Sequence, residues 1–499
     1  ISFNRVSLSR SSALEEIVCN GTFTGGSLKG SSVKRIVCNG SVCYGTVVSM
    51  ALEKFTFCSD EQGGNIVFSI LDNDIKKTYK SGGFRYYLNE KSEAVISGYT
   101  GKDRDVTVPE TLGDYKVTAI APLAFSSLNF VKLKNNTEGE VISDKLLSVT
   151  LPDTVKTIGS FAFAHSVALE SVNIPDGVEI IPEECFHNCQ SIKSISLPES
   201  VREIKDSAFE DCKELESVQM KGVVSVGNKA FYQCYKLENV EYLDELESIG
   251  ASAFYFCNLT GDFDLSSVEK IGEKAFGFNQ NIKKVVLNDN LTILEDRVFY
   301  NCRVLEEINF PSKLVSIGDS CFYQTAVSNT SFGESIEEIG AGAFTFCELK
   351  GTLDLSAVRT IGEHAFSWNT GISKVILSDE LTELRYGSFQ FCVGLKEINF
   401  PSGLVKIDNH CFKGSGLSAV ILNENLKEIF ENIVDHNNKN IEERVSKTFV
   451  VPEDSYFVMG DNRNHSSDSR SFGEVTIYDI CGNVRLLVEN GKTVWSALF

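Results

Sequence analysis

The sequence predicts a solenoid of short parallel strands joined by short helical or irregular turns, with a small, mainly β segment at its C-terminal end. Three observations predict it. A phenylalanine recurs at Phe163, Phe186, Phe209, Phe231, Phe254, Phe276, Phe299, Phe322, Phe344, Phe366, Phe389 and Phe412, always 22 or 23 residues apart, with Phe125 an earlier, looser member. Each interval holds one short alternating run, such as Leu169-Glu-Ser-Val-Asn-Ile174 or Leu305-Glu-Glu-Ile-Asn-Phe310. A larger block then repeats whole: Phe254, Phe276, Phe299 and Phe322 map onto Phe344, Phe366, Phe389 and Phe412 at a constant offset of 90. The short period lies in the range of leucine-rich repeats, in which one unit cannot bury its apolar face alone and stacking makes a continuous core.

The chain divides in order. Residues 1–80 carry a shorter period: Leu14-Glu-Glu-Ile-Val-Cys19, Val33-Lys-Arg-Ile-Val-Cys38 and Leu52-Glu-Lys-Phe-Thr-Phe57 recur every 19 residues and read as divergent short repeats. Residues 81–120 form a β-rich lead-in. Residues 121–432 are the main array, where alternation of period two marks half-buried strands and Pro175, Pro198, Pro311 and Pro401 stop them. The second half of each unit, Val-x-x-Ile-Gly-x-x-Ala-Phe-x-x-Cys, spaces its apolar residues by three or four, which suits a short helical turn. Residues 433–446 are a polar linker through Asp435-His-Asn-Asn-Lys-Asn, and residues 447–499 break the repeat. Copying a four-unit block lengthens a surface without disturbing one unique pocket, which favours binding or scaffolding.

Composition narrows the function. A formal net charge of −21 with scattered Lys and Arg gives no basic patch, so no nucleic-acid partner is expected. No apolar run is long enough to span a bilayer. No signal peptide is legible and the chain opens on Ile1, so a fragment or processed form is expected, with targeting signals upstream and membrane association only through an anchor there. Of the 15 cysteines, Cys189, Cys212, Cys234, Cys257, Cys302, Cys347 and Cys392 each lie three residues after a repeat phenylalanine. Cys185, Cys321 and Cys411 stand just before one, where other units have Ala. A small buried apolar residue explains both placements. Phe186-His-Asn-Cys189 is the nearest approach to a ligand set; no metal and no cofactor is expected.

The repeat residues resemble the BspA-type leucine-rich repeats of bacterial surface proteins over roughly residues 84–430. The lead-in, with Phe84-Arg-Tyr-Tyr, Ala94-Val-Ile-Ser-Gly-Tyr-Thr-Gly, Val106-Thr-Val-Pro and Val117-Thr-Ala-Ile, resembles segments that open such arrays. That resemblance implies an extracellular or cell-surface protein contacting a protein or other macromolecule through its array. Phe256, Phe278, Phe346, Trp368 and Phe391 each fall two residues after a repeat phenylalanine, either filling the core between turns or forming an outward contact stripe for a partner. Outward strand positions Lys193, Ser194, Ser196, Glu306, Glu307 and Asn309 are polar.

A second resemblance lies near the end. Val450-Val-Pro-Glu-Asp-Ser-Tyr-Phe-Val-Met-Gly-Asp-Asn-Arg-Asn-His-Ser-Ser-Asp-Ser-Arg470 looks like the last conserved box of signal peptidase I, a membrane-anchored Ser–Lys protease. Phe472-Gly-Glu-Val and Ile480-Cys-Gly-Asn-Val484 resemble its closing strands. The resemblance implies a supporting motif of Gly460, Asp461, Asn462, Arg463, Ser466, Asp468, Ser469 and Arg470. In it, Ser466 orients the general-base lysine, and Asp461, Arg463, Asp468 and Arg470 hold loops by ion pairs. The nucleophile and base are not legible. Ser49-Met50 lacks the following Pro, Lys34-Arg35 lacks its Gly-Asp and precedes the serine, and both sit inside the 19-residue repeats. The alternative function is therefore a Ser–Lys endopeptidase carrying a repeat insertion, anchored in a membrane with its peptidase-like part outside the cytoplasm, its nucleophile elements missing or upstream.

Overall fold

The computed structural model describes residues 78–126, 145–417 and 425–426 in full. It also describes the backbone of the strands at 6–7, 16–19, 26–27, 35–38, 47–48, 54–57, 428–429, 447–450, 484–489 and 492–497. The chain forms two compact units, Ile1–Glu245 and Leu246–Phe499.

In the first unit, Glu16–Cys19, Arg35–Cys38 and Lys54–Phe57 pair in parallel, with Ile17, Ile36 and Phe55 in register. The lead-in pairs Phe84–Leu88 antiparallel with Ala94–Tyr99, and Ala94–Tyr99 lies parallel to Tyr115–Ile120. Tyr115–Ile120 then lies parallel to Thr157–Ile158, so the lead-in passes directly into the stack of coils. From there most coils contribute two short parallel strands, and the coil between Phe322 and Phe344 contributes one, Glu338–Ile339. Ser194–Ser196, Ser217–Gln219 and Asn239–Glu241 make one ladder, and Ile180–Ile181, Glu203–Ile204 and Ser225–Val226 another. The second unit repeats the pattern, with Ile293–Leu294, Ser316–Ile317, Glu338–Ile339 and Thr360–Ile361 in one parallel ladder.

The 90-residue duplication is visible as geometry within the second unit. Thr260–Leu265 pairs with Asn281–Leu287, and Lys350–Leu355 with Gly371–Leu377, each pair slipping register at the same place, after Gly261 and after Gly351. Ion pairs are copied too: Lys284 to Glu307 at 3.1 Å and Lys374 to Glu397 at 3.2 Å. Asn309 exchanges two hydrogen bonds with the backbone of Leu287, as Asn399 does with Leu377. That side chain continues the ladder where Pro311 or Pro401 has no N–H to offer.

The core is a column of rings. Every repeat phenylalanine from Phe163 to Phe412 is at most 2% exposed. Neighbouring rings stack face to face at 5.1–5.7 Å, in one unit from Phe163 to Phe231 and in the other from Phe254 to Phe412. The spacing is that of adjacent strands, slightly opened to admit an aromatic thickness.

The expected helical turn is absent: no α-helix occurs among the described residues. The Phe276 coil shows why. Its alternate amides, Lys274, Phe276 and Phe278, donate to Asp296, Val298 and Tyr300 of the next coil at 2.9, 2.9 and 2.7 Å. The amides between them, Ala275, Gly277 and Asn279, close tight turns onto Gly272, Lys274 and Phe276 at 3.2, 3.1 and 3.3 Å. A helix would spend all these donors within its own segment; here half of them tie one coil to the next. The backbone reaches this path by entering the left-handed region two residues before and two after the phenylalanine, as at Lys274 (φ 61°) and Phe278 (φ 64°). Gly342, Gly387 and Gly414 take the same positions in three coils with φ of 63–67°, the residue that adopts this conformation at least cost. The Gly of the Ile-Gly pair serves close packing instead. A Cβ on Gly362 would lie 2.3 Å from the backbone nitrogen of Ala341, so only glycine lets these coils approach.

The cysteines three residues after the phenylalanines are hydrogen-bond donors as well as small residues. Cys189 Sγ–H donates to the Phe163 carbonyl at 3.1 Å, Cys212 to Phe186 at 3.1 Å and Cys302 to Phe276 at 3.2 Å. Where cysteine is missing, another donor stands in: Ser166 Oγ–H to Phe125 at 2.7 Å, and Asn369 Nδ2–H to Phe344 at 2.7 Å. Burial pushes the Cys212 and Cys302 thiols up to about 12, so these thiols stay protonated and unreactive. Cys189→Val is expected to cost about 1 kcal/mol more than Cys189→Ser, because valine fills the space but leaves the Phe163 carbonyl one donor short. Urea midpoints of the two variants check this, and equal midpoints would refute the donor role.

Candidate contact surface

Just outside the phenylalanine column lie the side chains one and two residues after each repeat phenylalanine. In the second unit each phenylalanine from Phe254 to Phe389 is followed by an aromatic at one or both of these positions. Phe256 and Phe278 stack at 4.3 Å, Phe346 and Trp368 at 5.3 Å, and Trp368 and Phe391 lie 4.2 Å apart. These five positions lie as two groups of touching rings. Two tyrosines outside the expected stripe close the interval between them: Phe278 meets Tyr300 at 5.3 Å, Tyr300 stacks on Tyr323 at 5.0 Å, and Tyr323 meets Phe346 at 5.9 Å. Tyr300 and Tyr323 stand one residue after their phenylalanines, where polar Asn301 and Gln324 hold the next position. The result is an unbroken row of seven rings on seven successive coils, roughly 29 Å long at a strand spacing of about 4.8 Å.

Phe346 is 40% exposed and Trp368 42%, while Phe256, Phe278 and Phe391 are half-buried. The row is thus neither pure core filling nor a set of free platforms. Trp368 has Phe346 on the preceding coil and Phe391 on the following one, so its two faces are covered and its edge meets water. Sugars and nucleobases bind ring faces, and the faces here are occupied by neighbouring rings. Edges suit an apolar protein surface or a second aromatic meeting them at right angles. Charge beside the strip is confined to Glu273, Lys274, Asp296, Arg297, Asp319 and Glu363, two or three residues before the repeat phenylalanines. Aromatic enrichment with charge depletion is the compositional mark of an interface core.

The strand face differs. Lys193, Ser194, Ser196, Glu306, Glu307 and Asn309 are all exposed and polar, as their alternation predicts. Ser196 donates to Gln219 at 3.0 Å and Gln219 to Glu241 at 3.0 Å, so part of this face is already hydrogen-bonded to itself. Among the described residues, no group of three or more His, Cys, Asp or Glu side chains is placed to hold a metal, and no helix is long and apolar enough to cross a membrane. Gly460, Asp461, Asn462, Arg463, Ser466, Asp468, Ser469 and Arg470 lie outside the described residues, as do Ser49 and Met50. Near the end, the described backbone holds an antiparallel sheet of Lys447–Val450, Lys492–Ala497 and Val484–Glu489.

Stacked coils around a phenylalanine column, joined by ladders of short parallel strands, define a leucine-rich-repeat solenoid protein. Within that class the chain belongs to the BspA type: the description "BspA type leucine rich repeat region" matches residues 140–260, 248–369 and 352–451, together more than half of the chain. Two similar solved structures are a leucine-rich repeat protein from Bacteroides ovatus and a leucine rich cell surface protein from Faecalibacterium prausnitzii. The first is 25% identical, with 70% of this chain and 99% of that one covered, at a TM-score of 0.47. The second is 25% identical, with 72% and 92% covered, at a TM-score of 0.43. Signal peptidase I of Aquifex aeolicus is 52% identical over 44 residues, 9% of this chain. The chain spans only 17% of the length of that relative.

Proposed function

We propose that this chain is a surface-exposed or secreted bacterial binding protein whose array contacts a protein partner through the ring row of its second unit. The observation that carries the reading is the continuity of that row: seven touching rings, with Phe346 and Trp368 exposed, on a chain of net charge −21. An acidic protein has no need of an exposed aromatic strip for solubility, and interface energy concentrates in Trp and Tyr anchors. The chain's two tryptophans, Trp368 and Trp495, supply the test. In a Trp495→Phe background, Trp368 fluorescence reports occupancy of the row while immobilised cells and matrix proteins are titrated. The double variant Phe346→Ala/Trp368→Ala, which lacks the reporter and is read by solid-phase binding beside the wild type, is expected to lower affinity for the bound partner by roughly 30- to 1000-fold, with the circular dichroism spectrum unchanged. Ser196→Ala on the strand face is the control. Saturable binding that survives the double substitution would refute the row as the contact site.

The 52% identity to signal peptidase I over 44 residues favours a second reading, a Ser–Lys endopeptidase with the repeats inserted. A lysine acts as base there only when desolvated and held in place, and the box around Ser466 matches only the part that holds it. This chain is expected not to cleave a signal-peptide substrate. Turnover abolished by Ser49→Ala would overturn that expectation.

A further inference from the structure

In the first unit, the turn positions beside Phe186 and Phe209 carry ionisable groups. Glu184 stands two residues before Phe186, His187 one after it, and Glu210 one after Phe209. They are 3%, 5% and 8% exposed. Glu184 Oε2, Glu210 Oε2 and His187 Nδ1 are buried with no hydrogen-bond partner. Backbone bonds join the two coils here: Glu184 N–H donates to Asp206 at 3.1 Å, and Asn188 N–H to Glu210 at 2.7 Å.

The surroundings compensate two carboxylates only in part. Glu183 and Lys229 face Glu184, while Glu210 takes a hydrogen bond from the Ser207 side chain and is faced by Lys229 and Asp211. Lys229 Nζ lies 5.7 Å over the Tyr232 ring, and Asp211 has Lys213 at 3.7 Å. On the other side, the His165 and His187 rings are 5.1 Å apart, His165 Nδ1 sits 2.8 Å from Asn188 Nδ2, and Asp211 faces both histidines. A carboxylate buried with one oxygen unpartnered is costly enough that the group keeps its proton instead.

We propose that Glu184 and Glu210 form a proton-held latch between the Phe186 and Phe209 coils: the coils close with both carboxyls neutral, and losing those protons opens this stretch while the rest of the stack stays shut. A solenoid permits this because each coil touches only its neighbours. Burial, then Glu210 and Glu183, push the Glu184 carboxyl up to about 8, and burial raises Glu210. A group raised in the closed state stabilises it fully below its ordinary value near 4.5, and that stability is lost as pH rises through about 8. The histidines act with the opposite sign: burial lowers His165 to about 4, so its contribution holds above its ordinary value near 6.5 and is lost as pH falls through about 4.

Hydrogen exchange of the full chain, corrected for the intrinsic pH dependence of exchange, tests the latch. Linkage allows up to about tenfold more opening per pH unit for each carboxyl in its window. Between pH 6 and pH 9, protection of the amides from Glu184 to Cys212 is expected to fall at least about tenfold, while the Phe299 to Phe389 coils change together and far less. Glu184→Gln/Glu210→Gln is expected to abolish the local loss. Equal protection at both pH values, or a loss that persists in the double variant, would overturn the latch. If the double variant fails to fold, Glu184→Gln alone decides: a reduced slope supports the latch, and the full wild-type slope rejects it.

Discussion

Replacing Phe299 with alanine is expected to remove about 3–5 kcal/mol from the second unit. The ring is fully buried and stacked on Phe276 at 5.7 Å and Phe322 at 5.6 Å. Its loss removes the transfer energy of an aromatic side chain and leaves a cavity in the middle of the column. The rigid coil spacing limits collapse, because the Phe299 amide is tied to Cys321 at 2.9 Å and the Phe276 amide to Val298 at 2.9 Å. Neither neighbour can slide into the space without breaking those bonds. Phe299→Leu restores most of the volume and is expected to recover a large part of the loss. Chemical denaturation followed by circular dichroism measures both. A Phe299→Ala protein as stable as wild type would mean that the column is not the structural spine.

How much of the fold is legible in the sequence depends on which residues repeat. The phenylalanine period and the alternating strand runs place every coil, because burial of one ring per turn is a strict demand and leaves a strict mark in sequence. The turn misleads because apolar spacing of three or four is common to a helix and to two successive tight turns. What separates them is the left-handed backbone at Lys274 and Phe278, and the residues there are too varied in type to advertise it; only Gly342, Gly387 and Gly414 hint at it. The cysteines read as merely small because an S–H donor and a methyl occupy similar space, and Ser166 and Asn369 at the same position are the available clue. Tyr300 and Tyr323 escape a stripe defined at one fixed offset, whereas rings on adjacent coils touch equally well from adjacent positions. The Glu184–Glu210 pair carries no sequence period, since neither residue recurs at its position in the other coils.

Asn369→Leu is expected to cost about 2–4 kcal/mol although it nearly preserves volume. Asn369 is fully buried and its amide serves three backbone groups: Nδ2–H donates to the carbonyls of Phe344 at 2.7 Å and Phe366 at 2.9 Å, and Oδ1 accepts from Leu349 N–H at 3.2 Å. Leucine leaves the Phe344 carbonyl and the Leu349 amide without this partner in a dry core, where an unmade hydrogen bond costs its full desolvation penalty; the Phe366 carbonyl keeps Cys392 Sγ–H at 3.2 Å. Asn279 serves the equivalent groups one block earlier, Phe254 at 2.8 Å, Phe276 at 2.7 Å and Leu259 at 3.0 Å. In both places the coil contacted runs on into a long strand, Thr260–Leu265 or Lys350–Leu355. Cysteine, the usual residue here, has a donor for the carbonyl but no acceptor set to reach the leucine amide. Asn369→Cys is therefore expected to fall between wild type and Asn369→Leu, with the Leu349 amide exchanging faster. Urea denaturation gives the order of stability and hydrogen exchange locates the loss. If cysteine and leucine prove equally damaging, the cross-coil donor to Phe344 contributes nothing, and the cysteines at that position in the other coils are fillers after all.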